Sequence, residues 1–164
     1  MRTYKACFFC LSATLGFLLV HATASAAETN YPGSVCIPEP GSGGQYAYYV
    51  GQAMNLSTSS SLSLMCPIIQ QHTLINSGTW VKYYERNGSV KVSCTMNEEA
   101  MSGTSVWINS QSEDSGANWG SPVYTMSWPD MGGSGWDFYY VECTIPPISG
   151  GYASTIEAIG INEY

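Results

Sequence analysis

The chain has 164 residues, with five Lys and Arg against twelve Asp and Glu, for a formal net charge of −7. So few cations cannot neutralise phosphates in number, and nucleic acid is not an expected partner. The length suits one domain with a real core and is short for two.

Residues 1–26, MRTYKACFFCLSATLGFLLVHATASA, have the layout of a secretory signal peptide. Arg2 and Lys5 form a positive start, an apolar stretch covers 6–20, and Ala24-Ser25-Ala26 is a small-residue cleavage site. The apolar part is too short for a membrane anchor. Cleavage after Ala26 would leave a single domain, 27–164, of 138 residues. Losing Arg2 and Lys5 leaves three cations against twelve carboxylates, so the charge falls to −9. The product is expected to be secreted, extracellular or periplasmic, without membrane insertion.

Four cysteines remain, Cys36, Cys66, Cys94 and Cys143. An even number in an exported chain points to two disulfides, with three connectivities open. None of these four is in a Cys-x-x-Cys spacing and His72 is the one histidine after the leader, so no zinc site is expected.

Helix signals are nearly absent. Gly, Ser, Thr, Tyr, Val and Ile dominate, with Gly, Asn and Pro as regular punctuation, the profile of an all-β sandwich or barrel. Strands are expected at 45–50, 52–57, 61–69, 79–86, 89–96, 104–109, 122–128, 136–145 and 153–162. The fold class expected is an antiparallel, jelly-roll-like β-sandwich with two disulfides.

In 61–69 the two-residue period puts Leu62, Leu64, Cys66 and Ile68 on one face. In 136–145 it groups Tyr139, Val141, Cys143 and Ile145. Between 79 and 96, Asn87-Gly88 separates two β-rich runs, the strongest short hairpin signal, because a type I′ turn needs positive φ at both central residues. The resulting register places Val81, Tyr83, Val90, Val92 and Cys94 inward, and Trp80, Lys82, Tyr84, Arg86, Ser89, Lys91 and Ser93 outward. Inward cysteines bridge readily and are poor nucleophiles. The expected pairs are Cys36–Cys66 and, across the sandwich, Cys94–Cys143.

The motifs Cys36-Ile37-Pro38, Cys66-Pro67 and Cys143-Thr144-Ile145-Pro146, followed by a last strand ending at Glu163, resemble those of a group of small exported bacterial four-cysteine proteins with no assigned activity. The resemblance implies a secreted β-sandwich and supplies no catalytic residues.

Catalytic patterns are sparse. A Ser or Cys nucleophile needs a base, and His72 stands alone without a Gly-x-Ser-x-Gly elbow. The pairs Glu98-Glu99 and Glu113-Asp114 are expected in loops, where neighbouring carboxylates point apart instead of facing across a cleft. Asp130 and Asp137 flank a Gly-rich loop. Segments 109–120 and 128–137 hold oxygen ligands without EF-hand spacing, so they read as turns and not as a calcium site. Neither metal nor cofactor is called for.

The aromatics are more informative. After the leader there are five Trp and eleven Tyr but one Phe, a preference for rings with a polar handle. Trp119, Trp128 and Trp136 lie in or beside Gly-rich loops. The three cations Lys82, Arg86 and Lys91 all fall on the outward hairpin face, interleaved with Trp80 and Tyr84. These eight residues are the ligand-binding candidates, although lysines on an exposed strand also discourage edge pairing. The first functional reading is a non-catalytic binding module for carbohydrate or for an extracellular or cell-surface protein. A structural envelope-associated protein and a hydrolase using loop carboxylates are the alternatives.

Overall fold

In the computed structural model of the protein, the described backbone comprises residues 27–69, 76–102, 105–114, 123–129 and 138–163, and side chains are described for 28–69, 78–98, 123–129 and 138–162. Among the described residues there are eleven strands: β1 (Ala27–Pro32), β2 (Ile37–Pro38), β3 (Tyr46–Tyr49), β4 (Gln52–Asn55), β5 (Leu62–Ile68), β6 (Asn76–Tyr84), β7 (Ser93–Ser102), β8 (Ser105–Asp114), β9 (Tyr124–Trp128), β10 (Phe138–Ile145) and β11 (Thr155–Glu163). A 3-10 turn, Gly33–Val35, follows β1.

The strands form two antiparallel sheets. The first runs β3-β4-β11-β6-β9, with β1 also on β11; the second runs β2-β5-β10-β7-β8. Strands next to each other in sequence, such as β4 and β5 or β10 and β11, occupy corresponding places in the two sheets. That winding is the jelly-roll sandwich.

The core comes from alternation. Leu62, Leu64, Cys66 and Ile68 of β5 are buried, as are Tyr139, Val141, Cys143 and Ile145 of β10. They meet Val81 and Tyr83 of β6, Met126 and Trp128 of β9, and Ile156, Ile159 and Ile161 of β11. Ile156 and Ile159 are three apart, an odd spacing that regular alternation cannot bury on one face. A register shift between Ile156 and Ala158 resolves this by turning Glu157 and Ala158 outward together.

Both disulfides lie within the second sheet. Cys94 bonds Cys143, and the two are directly opposed on β7 and β10 with Cα atoms 4.1 Å apart. Cys36 bonds Cys66 beside the β2–β5 pairing, Cα atoms 4.0 Å apart. The Cys94 bridge therefore joins neighbouring strands and does not cross the sandwich.

The 79–96 hairpin does not form. β6 pairs with β11 and β9, whereas β7 pairs with β10 and β8, so 85–92 crosses between sheets. Buried Glu85 organises the crossing. Its Oε1 accepts from Asn87 N (2.6 Å) and Ser154 Oγ (2.8 Å), and its Oε2 from Val92 N (2.5 Å). Asn87 Oδ1 accepts from Ser89 N and Val90 N, a local turn different from a two-residue hairpin loop. Val90, expected inward, lies in this crossing and is 44 % exposed.

Asn55 does the same at the β4–β5 crossing. Its Oδ1 accepts from Gln45 N and Ser57 N, and its Nδ2 donates to the carbonyls of Ser60, Ile145 and Pro146. Asn87 Nδ2 donates to Pro147 O. Two buried asparagines thus clamp three successive carbonyls of the β10–β11 connection. With both amide nitrogens turned into the protein, Asn55-Leu56-Ser57 and Asn87-Gly88-Ser89, which have the Asn-x-Ser pattern, do not present a glycan acceptor.

Positive φ at both central residues does occur, elsewhere. Gly150 and Gly151 adopt it between Ser149 and Tyr152, which exchange backbone hydrogen bonds, and Val50-Gly51 adopts it between β3 and β4.

Candidate functional site

The outer face of the first sheet gathers the polar and aromatic side chains that the core does not use. Cross-strand partners share a face, so the register defines its rows. One row runs from Tyr49 on β3 through Gln52 on β4 and Glu157 on the β11 bulge to Lys82 on β6 and Thr125 on β9. A second contains Ala47, Met54, Thr155 and Tyr84, and a third Asn30, Gly160, Trp80 and Ser127. From β3 to β6 the face spans three strand spacings, about 14 Å.

Each ring is held differently. Trp80 lies flat on Gly160: a Cβ there would come 2.2 Å from the indole carbons Cε2 and Cζ2. With Lys82 Nζ 4.8 Å from its centroid, Trp80 is only 9 % exposed. Arg86 places its guanidinium carbon 3.9 Å from the Tyr84 centroid and 5.1 Å from that of Tyr152. Tyr152, at the end of the Gly150-Gly151 turn, is 62 % exposed, and Tyr49 is 68 % exposed. At the sheet edge Tyr46 donates to Cys36 O (3.1 Å), and burial with the neighbouring Tyr48 raises its pKa, so the hydroxyl stays a donor.

Glu157 is fixed on both oxygens. Gln52 Nε2 donates to Oε2 at 2.5 Å and Thr155 Oγ1 donates to Oε1. Among the described residues neither Lys82 nor Arg86 has a carboxylate partner: the guanidinium's contacts are the two tyrosine rings, and the Arg86 backbone N–H is bonded to Ser154 Oγ.

Of the expected candidates, Trp80, Lys82, Tyr84 and Arg86 occupy one outer surface. Trp80, Lys82 and Tyr84 are in β6 and Arg86 begins the 85–92 crossing; Lys91, near the far end of that crossing, is exposed and makes no contact with their rings among the described residues. Trp128 faces inward and is buried. Trp119 and Trp136 lie outside the described residues, as do His72, Asp130 and Asp137. Glu98 and Glu99 are in β7, and Glu113 and Asp114 in β8, so neither pair lies in a loop. Segment 109–114, part of the stretch weighed for calcium, is likewise strand. No group of three or more His, Cys, Asp or Glu among the described residues could hold a metal. Sequence reasoning missed Tyr49, Tyr152, Gln52, Thr155 and Glu157, because only the β3-β4-β11-β6 order brings them together.

No helix among the described residues is long and apolar enough to cross a membrane, and two disulfides fit an oxidising, extracellular or periplasmic compartment. No family model matches the chain, and no curated protein matches it significantly. Among solved structures, the chain is similar to a low-affinity xylan-binding module from the gut symbiont Roseburia intestinalis. That similarity has 11 % identity and a TM-score of 0.48, covering 84 % of this chain and 96 % of the other.

Proposed function

We propose that the chain is a secreted, non-catalytic module that binds carbohydrate on the outer face of the β3-β4-β11-β6-β9 sheet. The observation that carries the reading is the make-up of that face. Exposed Tyr49 stands on its β3 edge, exposed Tyr152 stands beside Arg86 just before β11, and the amide, carboxylate and hydroxyl groups of Gln52, Glu157 and Thr155 lie in its rows. Sugars offer apolar C–H faces to rings and hydroxyls to planar hydrogen-bonding groups, so a ring-flanked polar row is complementary to them. A protein partner would favour an apolar centre with a polar rim; here the centre, Gln52, Thr155 and Glu157, is polar.

Native affinity electrophoresis against a panel of soluble plant and microbial polysaccharides tests this. Retardation by at least one of them is expected. Truncating the exposed rings together, Tyr49→Ala with Tyr152→Ala, should abolish it while leaving the unfolding midpoint nearly unchanged, because both are exposed. Retardation that survives the double truncation sinks this face as the site. A panel with no retardation at all favours the structural, ligand-less alternative.

A further inference from the structure

The rings on this face are not equally open, and the difference bears on which sugars it takes. Tyr84 lies under the Arg86 guanidinium, and Trp80 lies between Gly160 and the Lys82 ammonium. A neutral sugar stacking on Tyr84 would have to displace a cation from the face it needs. A carboxylate approaching from solvent would not, because it meets the guanidinium's N–H groups and leaves the ring contact intact.

We propose, on the reading that this face binds carbohydrate, that its ligand is an acidic glycan whose uronate carboxylate is received by Arg86. The guanidinium is prepared for it. Two tyrosine rings hold it, and a stacked guanidinium keeps its N–H fork for bidentate binding of a carboxylate. Its backbone is anchored by the bond from Arg86 N to Ser154 Oγ, and Ser154 in turn donates to buried Glu85. The fork therefore starts from a fixed point and loses little freedom on binding. Among the described residues no carboxylate of the protein occupies it.

Glu157, the acid at the β11 bulge next to Ala158, the partner of Lys82, has both its oxygens already accepting from Gln52 and Thr155. Arg86 lies four residues along the chain from Lys82, about 13 Å if extended. The charge distribution agrees. Three cations serve a chain of −9 without its leader, and two of them, Lys82 and Arg86, lie on or beside this one face. A uniformly negative protein would repel a polyuronate; this one opposes its own net charge at the proposed contact.

Isothermal titration with polygalacturonate oligomers, and with the same oligomers after carboxyl reduction, tests the idea. The acidic form should bind and the reduced form should bind at least about tenfold more weakly, as expected for loss of a charge-assisted pair. Arg86→Gln should weaken the acidic ligand by a similar factor with an unchanged unfolding midpoint, and the salt dependence of its binding should flatten. Arg86→Lys, which keeps the charge and loses the fork, should fall between the two. Equal binding of acidic and reduced oligomers, or an Arg86→Gln variant that binds as the parent does, overturns the acidic class. If the tyrosine truncations still abolish binding in that case, the carbohydrate face itself stands. Polyglutamate binding as tightly as polygalacturonate would also overturn the proposal, since bare negative charge would then suffice.

Discussion

The two sheets of the sandwich are stabilised by different means. The β2-β5-β10-β7-β8 sheet carries both disulfides, one between directly opposed residues of β7 and β10 and one beside the β2–β5 pairing, so two of its strand neighbours are covalently tied. The β3-β4-β11-β6-β9 sheet has no cross-link among its described residues, and it is the sheet that presents Tyr49, Gln52, Glu157, Lys82 and Tyr84. What fixes its upper edge is a set of buried side chains reaching into the crossings, Glu85 and Asn87 between β6 and β7 and Asn55 between β4 and β5. One sheet relies on covalent bonds that limit the unfolded chain. The other relies on polar groups that cost much if left half-satisfied.

Removing the Glu85 carboxylate should therefore do more harm than removing a disulfide. Glu85→Ala leaves Asn87 N, Val92 N and Ser154 Oγ without their acceptor inside the protein. At roughly 1–3 kcal/mol for each buried donor, the loss should exceed about 4 kcal/mol in urea unfolding. It should also weaken ligand binding in whatever folded fraction remains, because Ser154 anchors Arg86. A loss under about 1 kcal/mol would mean that water replaces the carboxylate and that the crossing is not what holds this edge.

Much of the fold was legible before any coordinates, and the reason it stopped being legible is specific. Alternation grouped Leu62, Leu64, Cys66 and Ile68, and likewise Tyr139, Val141, Cys143 and Ile145, and all eight are buried. Periodicity is a local property and needs no partner to be read. Seven of the expected strands lie within three residues of an observed one, the expected 89–96 and 104–109 overlap β7 and β8 but end five or six residues early, and β1 and the two-residue β2 are not anticipated. Pairing is nonlocal, and there the reading failed. Asn87-Gly88 is a strong local turn signal, but Asn87 is held by Glu85 and by Pro147, and Ser154 holds the neighbouring Glu85 and Arg86; Pro147 and Ser154 lie sixty or more positions away. Once the hairpin was lost, Lys91 left the patch; Lys82 stayed because its side of β6 depends on alternation alone, and Arg86, just past the strand, stayed by stacking on Tyr84.

The comparison is sharpened at intermediate cost by the cysteines. Replacing Cys94 and Cys143 together by Ala should destabilise by about 2–4 kcal/mol, and replacing Cys36 and Cys66 by slightly less. The sequence separations are 49 and 30, and chain entropy makes the difference only about 0.4 kcal/mol. Since both bridges link strands of the second sheet and neither lies on the outer face of the first, polysaccharide retardation should survive in both variants at temperatures where they are folded. Loss of retardation in a folded variant would show that the cross-linked sheet also shapes the outer face of its partner.

The smallest effect should have the opposite sign. The turn between β3 and β4 requires positive φ at Val50 (49°) and Gly51 (85°), and a β-branched side chain is poorly suited to that region. Val50 is 79 % exposed, so it gains little packing in return. Asn-Gly is the dipeptide such a turn prefers, yet the chain places its Asn87-Gly88 in a crossing and a valine here. Val50→Asn should raise stability by about 1 kcal/mol, read as a higher urea midpoint at unchanged slope. If Val50 instead contacts ligand beside Tyr49, the same variant will be more stable and bind less well. Stability and binding rising together would show that the strained turn is a tolerated cost of the sequence and not part of the site.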